Sequence, residues 1–255
     1  MTDSFADRTA LVTGAGRGIG RATAVGLAQA GATVALLARS EHELAETGAL
    51  IRELGRRAFV VPADLGDDEQ ISGAISPVRD ELGGVDILVN NAGVVWPLAP
   101  SVKVDVKEWA AAMKINVVAA VTLTFAFLPG MVERSWGRIV NVSTGGVANP
   151  ASMIGGNAYV ATKSALEGHT TNLGLELDGT GVTANVYRPG PVDTAIQSWI
   201  RAQDPAEIGV ALHHRFIRSH AEGKLLTPEQ SAGSLLARLA KDDRTGHVWD
   251  VLDPA

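Results

Sequence analysis

Short β-branched runs alternate with longer amphipathic stretches from one end of this 255-residue chain to the other, and that rhythm constrains the fold more than any other feature. Parallel strands need long crossover connections, so an alternation of this kind builds a parallel sheet with helices packed on both faces. The strand segments are Thr9–Thr13, Thr33–Leu37, Ala58–Val61, Ile87–Val89, Ile139–Val142, Val182–Val186 and His247–Val251. Several are apolar at consecutive positions, the pattern of strands covered on both faces. Helix starts lie between them: Ser40-x-x-Glu43, Asp105-x-x-Glu108 and Thr227-Pro228-x-Gln230 read as capping boxes. No linker or repeat interrupts the series, so residues 1–255 are expected to form one domain. The rhythm breaks only over about 194–226, where Trp199, Ile200, Phe216 and Ile217 mix with charges. Such a segment is either a lid over a ligand or a long surface excursion, and the lid is the better fit to a long irregular stretch in a compact domain.

Composition excludes several classes. With 46% hydrophobic and 20% charged residues the chain has material for a sizeable core. Its net charge of −6 argues against a nucleic-acid partner, which calls for a basic face. The absence of cysteine rules out disulfides, thiolate metal sites and a thiol nucleophile. The opening MTDSFADR is acidic, with no apolar core, and does not read as a signal peptide. The longest apolar run, Val117 to Leu128, contains Thr122 and Thr124 and stops at Pro129, too short to span a bilayer. A soluble, cytoplasmic chain without a membrane partner is expected. His213, His214 and His220 have no carboxylate cluster beside them, so no metal is expected.

The first strand runs into Thr13-Gly14-Ala15-Gly16-Arg17-Gly18-Ile19-Gly20, and a helix over Arg21–Ala30 follows. Glycines let the backbone turn sharply and approach a pyrophosphate, which then rests on the free N–H groups of the helix N-terminus. The fingerprint G-x-G-x-x-G would want glycine at 19, where the chain has Ile19; the spacing that fits is G-x-x-x-G-x-G on Gly14, Gly18 and Gly20. With Gly16, Arg17 and Ile19, these residues form the expected phosphate loop of a Rossmann-type doubly wound parallel sheet of about seven strands. The second strand ends Leu37-Ala38-Arg39-Ser40, with an arginine where an NAD site would place a carboxylate for the ribose 2′-hydroxyl. A guanidinium fork suits a 2′-phosphate, and Arg17 adds a second positive charge. NADP(H) is the expected cofactor, with NAD(H) the alternative.

At this point the chain resembles the short-chain dehydrogenase/reductase family over nearly its whole length. Besides Thr13–Gly20, four further markers stand in the family's order. Asp64-Leu65 follows the third strand, Asn90-Asn91-Ala92-Gly93 the fourth, and Tyr159-x-x-x-Lys163 the fifth. Asn116 lies within the long central helix, and Pro189-Gly190-Pro191-Val192-Asp193-Thr194 follows the sixth strand. The resemblance places the adenine at Asp64 and Leu65 and the adenine ribose beside Asn91, Ala92 and Gly93. It puts the carboxamide against the loop of Pro189, Gly190, Val192 and Thr194. It also implies a homodimer or homotetramer paired through the helices around Asn116 and Tyr159, to which the run Ala110–Ala112 is suited.

Four residues apart on a helix, Tyr159 and Lys163 project from one face. A free phenol is a poor acid–base catalyst at neutral pH, and a neighbouring ammonium favours its ionised form. The resemblance makes Tyr159 the acid in carbonyl reduction and the base in alcohol oxidation. Lys163 tunes Tyr159 and binds the nicotinamide ribose, and Asn116 holds a water in a relay with Lys163. A strand-end hydroxyl polarises the substrate oxygen. The family separates that hydroxyl from the tyrosine by about thirteen residues, a count that reaches Gly146, so the connection contains an insertion. In the family's run, which Arg138 to Thr144 resembles, the polarising hydroxyl holds the last position; the resemblance thus implies Thr144, with Ser143 facing away, and a bent strand end would present Ser143 instead. Arg188 is expected to make a structural ion pair. Trp96, the 144–159 insert and the segment from Ala195 to Phe216 are expected to choose the substrate, with Trp199, Ile200 and Phe216 favouring an apolar or aromatic carbonyl or alcohol.

The sequence thus points to an NADP-dependent oxidoreductase interconverting a ketone and a secondary alcohol. A non-catalytic NADP-binding regulator on the same fold is the alternative, against which Asn116, Tyr159 and Lys163 together argue. A lyase or epimerase would need a longer substrate domain than this chain has room for.

Overall fold

A computed structural model describes residues 4–253, so Met1 to Asp3 of the acidic opening lie outside the described residues. Seven strands form one sheet: β1 (Thr9–Thr13), β2 (Thr33–Ala38), β3 (Ala58–Pro62), β4 (Ile87–Asn90), β5 (Gly137–Val142), β6 (Val182–Arg188) and β7 (Val248–Asp250). Their order is β3-β2-β1-β4-β5-β6-β7, every pair parallel. The chain winds outward in opposite directions from β1 and β4, so the connections leaving those two strands diverge and open a crevice at their carboxyl ends.

Parallel pairing buries the strands on both faces, and neighbouring residues therefore enter different cores. Leu11 and Val12 show this: Val12 packs with Leu27, Leu36, Val89 and Leu235, whereas Leu11 packs with Leu37, Ile71, Leu123 and Met131. The first face is covered by α1 (Gly18–Gln29), α2 (Glu41–Glu53) and a final helix, Pro228–Lys241. The second face is covered by α3 (Asp68–Leu82), by α4 (Val106–Met113) continuing through a π turn (Lys114–Val118) into α5 (Ala119–Glu133), and farther along the chain by a helix over Asn157–Glu176. A buried polar chain links the strands beneath the crevice. Asn90 Nδ2 donates to Asn141 Oδ1 at 2.8 Å, and Asn141 Nδ2 donates to Thr170 Oγ1 at 2.8 Å. Each of these hydrogen bonds also satisfies a group that water cannot reach.

Between β5 and the Asn157–Glu176 helix lie the short helix α6 (Gly145–Ala148) and a 3₁₀ turn (Pro150–Met153); that long helix is α7. The segment in which the strand–helix rhythm fails is itself helical: α8 (Ala195–Arg201), α9 (Pro205–Ile208) and α10 (Val210–Ala221), followed by the last helix, α11. A bridge between Val192 and Leu226 closes its base, with Asp193 N donating to Leu226 O at 2.9 Å and Leu226 N to Pro191 O at 2.8 Å.

Several boundaries differ from expectation. Helix α1 starts at Gly18 rather than Arg21, because its first turn begins inside the glycine loop, where Gly18 takes φ +55°. Of the three capping boxes, only Thr227–Gln230 is complete. Ser40 accepts from Glu43 N, and Asp105 accepts from Lys107 N rather than from the third helical residue. The apolar run read as Val117 to Leu128 belongs to a continuous helix, Val106–Glu133, of 28 residues, which by length and composition is enough to cross a membrane. The sequence reading falls short because the π turn joins two helices that look separate. In this fold the helix turns Ala112, Asn116, Ala119, Leu123, Phe127 and Met131 inward.

Candidate active site

A cleft of about 380 Å³ opens at the carboxyl ends of the strands. Its floor at one end is the glycine loop. Gly14 has φ +63°, and a Cβ there would stand 2.9 Å from Asn91 Nδ2 and 3.0 Å from Ala92 Cα. A Cβ on Gly20 would stand 2.2 Å from the Gly14 carbonyl oxygen, and one on Gly16 would stand 2.8 Å from Glu43 Cβ. Thr13 Oγ1 accepts from both Asn91 N and Ala92 N at 3.0 Å, and Asn91 Nδ2 donates to the Thr13 carbonyl at 2.9 Å, so the loops after β1 and β4 are built as one unit. No side chain caps α1, which leaves its first N–H groups facing the cleft beside Gly18 and Ile19. Besides the Asn91 side-chain amide at 2.5 Å, the contacts of Gly20 are the Gly14 backbone, which cannot yield. Gly20→Ala is therefore expected to cost about 1–3 kcal/mol of stability, read as a lower midpoint in chemical denaturation.

Two arginines mark the far end of this floor. Arg17 Nη1 lies 3.2 Å from Glu43 Oε1, and Arg39 Nη1 lies 3.9 Å from Asp64 Oδ2; both guanidinium groups are exposed. Ser40, Ala38, Ala63 and Leu65 complete the wall. Asp64 itself is turned to its own loop, with Oδ1 accepting from Gly66 N at 2.8 Å.

At the other end, Tyr159 and Lys163 from α7 share the cleft with Ser143, Pro189 and Thr194. The two strand-end hydroxyls diverge. Tyr159 is hydrogen-bonded to the Thr144 side chain, which also accepts from Gly146 N at 3.2 Å as the cap of α6. Ser143 Oγ instead donates to Glu167 Oε1 at 2.6 Å. Burial pushes the Tyr159 phenol above its ordinary range, and the bond to Thr144 opposes that shift. The Lys163 ammonium donates to the Val142 carbonyl at 2.7 Å and is brought down to about 8 by burial, with Glu167 opposing.

Asn116, 1% exposed, occupies the π turn. Its side chain is fully engaged: Oδ1 accepts from Val94 N at 2.7 Å, while Nδ2 donates to Val94 O at 2.8 Å and Thr162 Oγ1 at 3.0 Å. A Cβ on Gly93 would touch both Asn116 Oδ1 and Lys163 Nζ, at 3.2 and 3.3 Å, so these three residues meet. Gly190 and Val192 stand back from the cleft. The first packs on Val251, the second is buried at the base of the lid. Val95 and Leu98, flanking half-buried Trp96, form a third small core with Met153, Ile200, Ile208 and Leu212, against which Tyr159 and Phe216 pack. The loop after β4, the insert and the lid are thereby one wall. Residues that line the cleft without standing out in the sequence are Ala38, Glu43, Ala63, Val94, Ile115 and Val142. Only Glu43 carried a signal, as the third residue of a helix whose cap faces the same crevice.

The fold and this cleft define a dinucleotide-binding α/β protein. The short chain dehydrogenase family pattern matches residues 8–205, and the chain belongs to the short-chain dehydrogenase/reductase family of oxidoreductases. It is 32% identical over 252 residues to the D-beta-hydroxybutyrate dehydrogenase of Cupriavidus necator, covering 96% of each chain. Against several other curated relatives, a Pseudocercospora fijiensis short chain dehydrogenase among them, the chain spans only 50–61% of their length. Among solved structures, an NAD+-bound xylitol dehydrogenase superposes with a TM-score of 0.84 at 28% identity, covering 96% of this chain and 98% of that one. A metagenomic short-chain oxidoreductase in complex with NADP gives 0.76 at 30% identity, covering 96% and 97%. A nicotinamide dinucleotide is thus the cofactor class of the family, with both forms seen among its neighbours.

Proposed function

We propose that the chain is an NADP(H)-dependent oxidoreductase that interconverts a carbonyl compound and a secondary alcohol, with Tyr159 transferring the proton. The observation that carries this reading is the placement of Tyr159, bonded to Thr144, and Lys163 in the same cleft as an uncapped, glycine-bounded helix N-terminus. A dinucleotide fits the donor set: Cβ atoms would fill the space at Gly14 and Gly16, free N–H groups await a pyrophosphate, and Arg17 and Arg39 flank the adenosine end. When bound, the cofactor supplies or accepts the hydride.

The protein does the rest. Burial keeps the Tyr159 phenol protonated, which suits it to give its proton to a carbonyl oxygen at neutral pH. The Thr144 hydroxyl holds the phenol oxygen and lies where it can also donate to the substrate oxygen, with Ser143 the alternative donor. Lys163 Nζ, anchored on Val142, provides a buried positive charge and the hydroxyl contacts of the nicotinamide ribose. Asn116 holds the loop at Val94 and, through Thr162, α7 in register around Gly93, and it holds a water in a relay with Lys163. The apolar wall of Val95, Leu98, Met153 and the lid excludes water and favours an apolar carbonyl substrate. Exposed Val118 at the end of the π turn, Phe125 on α5 and Leu175 on α7 support a homodimer or homotetramer paired through these helices.

The cofactor assignment is tested by fluorescence titration. Wild-type protein should bind NADPH at least about tenfold more tightly than NADH, since each charge-assisted bond to the 2′-phosphate contributes on the order of 1.5–3 kcal/mol before the paired carboxylates are displaced. Ala38→Asp/Arg39→Leu should reverse the order. Equal affinities in the wild type, or no shift in the variant, would exclude the assignment. An NADPH-consumption screen over ketones, aldehydes and sugars tests the reaction class.

A further inference from the structure

We infer that Glu167, clamped by Arg188, is a positioning residue of this active site: its buried carboxylate fixes Ser143 at the end of β5 and faces Lys163 from the next turn of α7. This rests on the oxidoreductase reading above. Glu167 is 8% exposed and four residues beyond Lys163, on the same helix face. Arg188 Nε donates to Oε1 at 2.9 Å and Nη2 to Oε2 at 2.7 Å, a fork-to-fork pair, and Ser143 Oγ adds a third bond to Oε1 at 2.6 Å. The three elements so joined each deliver a residue to the cleft. Helix α7 delivers Tyr159 and Lys163, the end of β5 delivers Val142 and Ser143, and the end of β6 delivers Pro189.

An ion pair serving the fold alone could sit anywhere between α7 and β6. This one grips the residue between the two groups that define the strand end: Val142, whose carbonyl receives Lys163, and Thr144, whose hydroxyl meets Tyr159. Ser143 N also donates to the Tyr187 carbonyl at 2.7 Å, so both its backbone and its side chain are pinned. With Ser143 drawn toward Glu167, Thr144 is turned to the opposite side of the strand end, toward Tyr159.

The carboxylate also has an electrostatic effect. Around Lys163, the titratable or charged neighbours are Tyr159 and Glu167 from α7 and, through Glu167, Arg188 from β6, on which Asp250 and Asp253 act in turn. Val142, Gly93 and Asn116 present no charge. Burial brings the ammonium down to about 8, and Glu167 is what opposes a further fall. Without it, Lys163 loses its proton at a lower pH and faces an unpaired guanidinium.

The test is the pH dependence of NADPH binding, read by fluorescence in full-length wild type, Glu167→Gln and Glu167→Asp. At about pH 6 the three should bind alike; at about pH 8, Glu167→Gln should bind roughly fivefold more weakly than wild type, because Lys163 without the carboxylate gives up its proton at a lower pH, and Glu167→Asp should recover most of the loss. If Glu167→Gln does not fold, Glu167→Leu/Arg188→Met removes the pair without stranding a charge and should show the same alkaline loss. A variant profile that superimposes on that of the wild type at both pH values overturns the proposal while leaving the oxidoreductase reading intact. Wild-type protein that binds neither NADPH nor NADH overturns both.

Discussion

Tyr159→Phe is expected to bind NADPH nearly as the wild type does and to lose turnover by about 100- to 10,000-fold, the usual contribution of a positioned general acid. The substitution removes one oxygen and nothing else. The ring still packs against the small core of Val95, Leu98 and Met153, and Thr144 keeps its bond from Gly146 N. Lys163→Ala should behave differently, losing turnover together with part of the cofactor affinity, because its ammonium anchors on Val142 within the cleft itself. Steady-state rates on a ketone identified by screening, set beside NADPH titrations, separate the two patterns. Retention of most activity by Tyr159→Phe would remove it from the role of acid.

The second large effect concerns the end of β5. Thr144→Val should lower kcat by about a hundredfold, the scale on which a hydroxyl aimed at developing oxyanion charge contributes. Ser143→Ala should cost only severalfold, because its hydroxyl is spent on Glu167 rather than presented to Tyr159. Cofactor affinity should change little in either. The reverse ranking in kcat would move the polarising role to Ser143 and show that the strand end bends when substrate arrives.

The strands and their order along the chain were legible because strands buried on both faces leave a plain mark: unbroken apolar runs such as Ala10–Val12 and Val34–Leu37. The glycine loop was legible because each glycine answers a local steric demand. What escaped has physical reasons. Helix α10 turns only Leu212 fully inward, so its periodicity is diluted by charge and the lid reads as irregular. The π turn breaks the helical period around Asn116, which hides the union of α4 and α5. The insertion after Thr144 is taken up by α6 and a 3₁₀ turn, elements too short to have a pattern. The pairs Arg17–Glu43, Arg39–Asp64 and Glu167–Arg188 join residues 21–26 positions apart, and they exist only once parallel strands bring their carboxyl ends level. Charge alone marks none of them.

The bridge between Val192 and Leu226 joins the two ends of the 193–225 excursion. Asp193 to Leu225 leave and rejoin the body of the fold side by side, while Ile200, Ile208 and Leu212 pack on Val95, Leu98 and Met153. A change of length between the excursion's two ends leaves the glycine loop and the order of the strands where they are, whereas a change on its inner surface is felt by Tyr159, which packs against it. Selection for a new substrate can therefore act on about thirty residues while the sheet and the glycine loop stay as they are, provided that Thr194 in the cleft and the residues facing Tyr159 are kept.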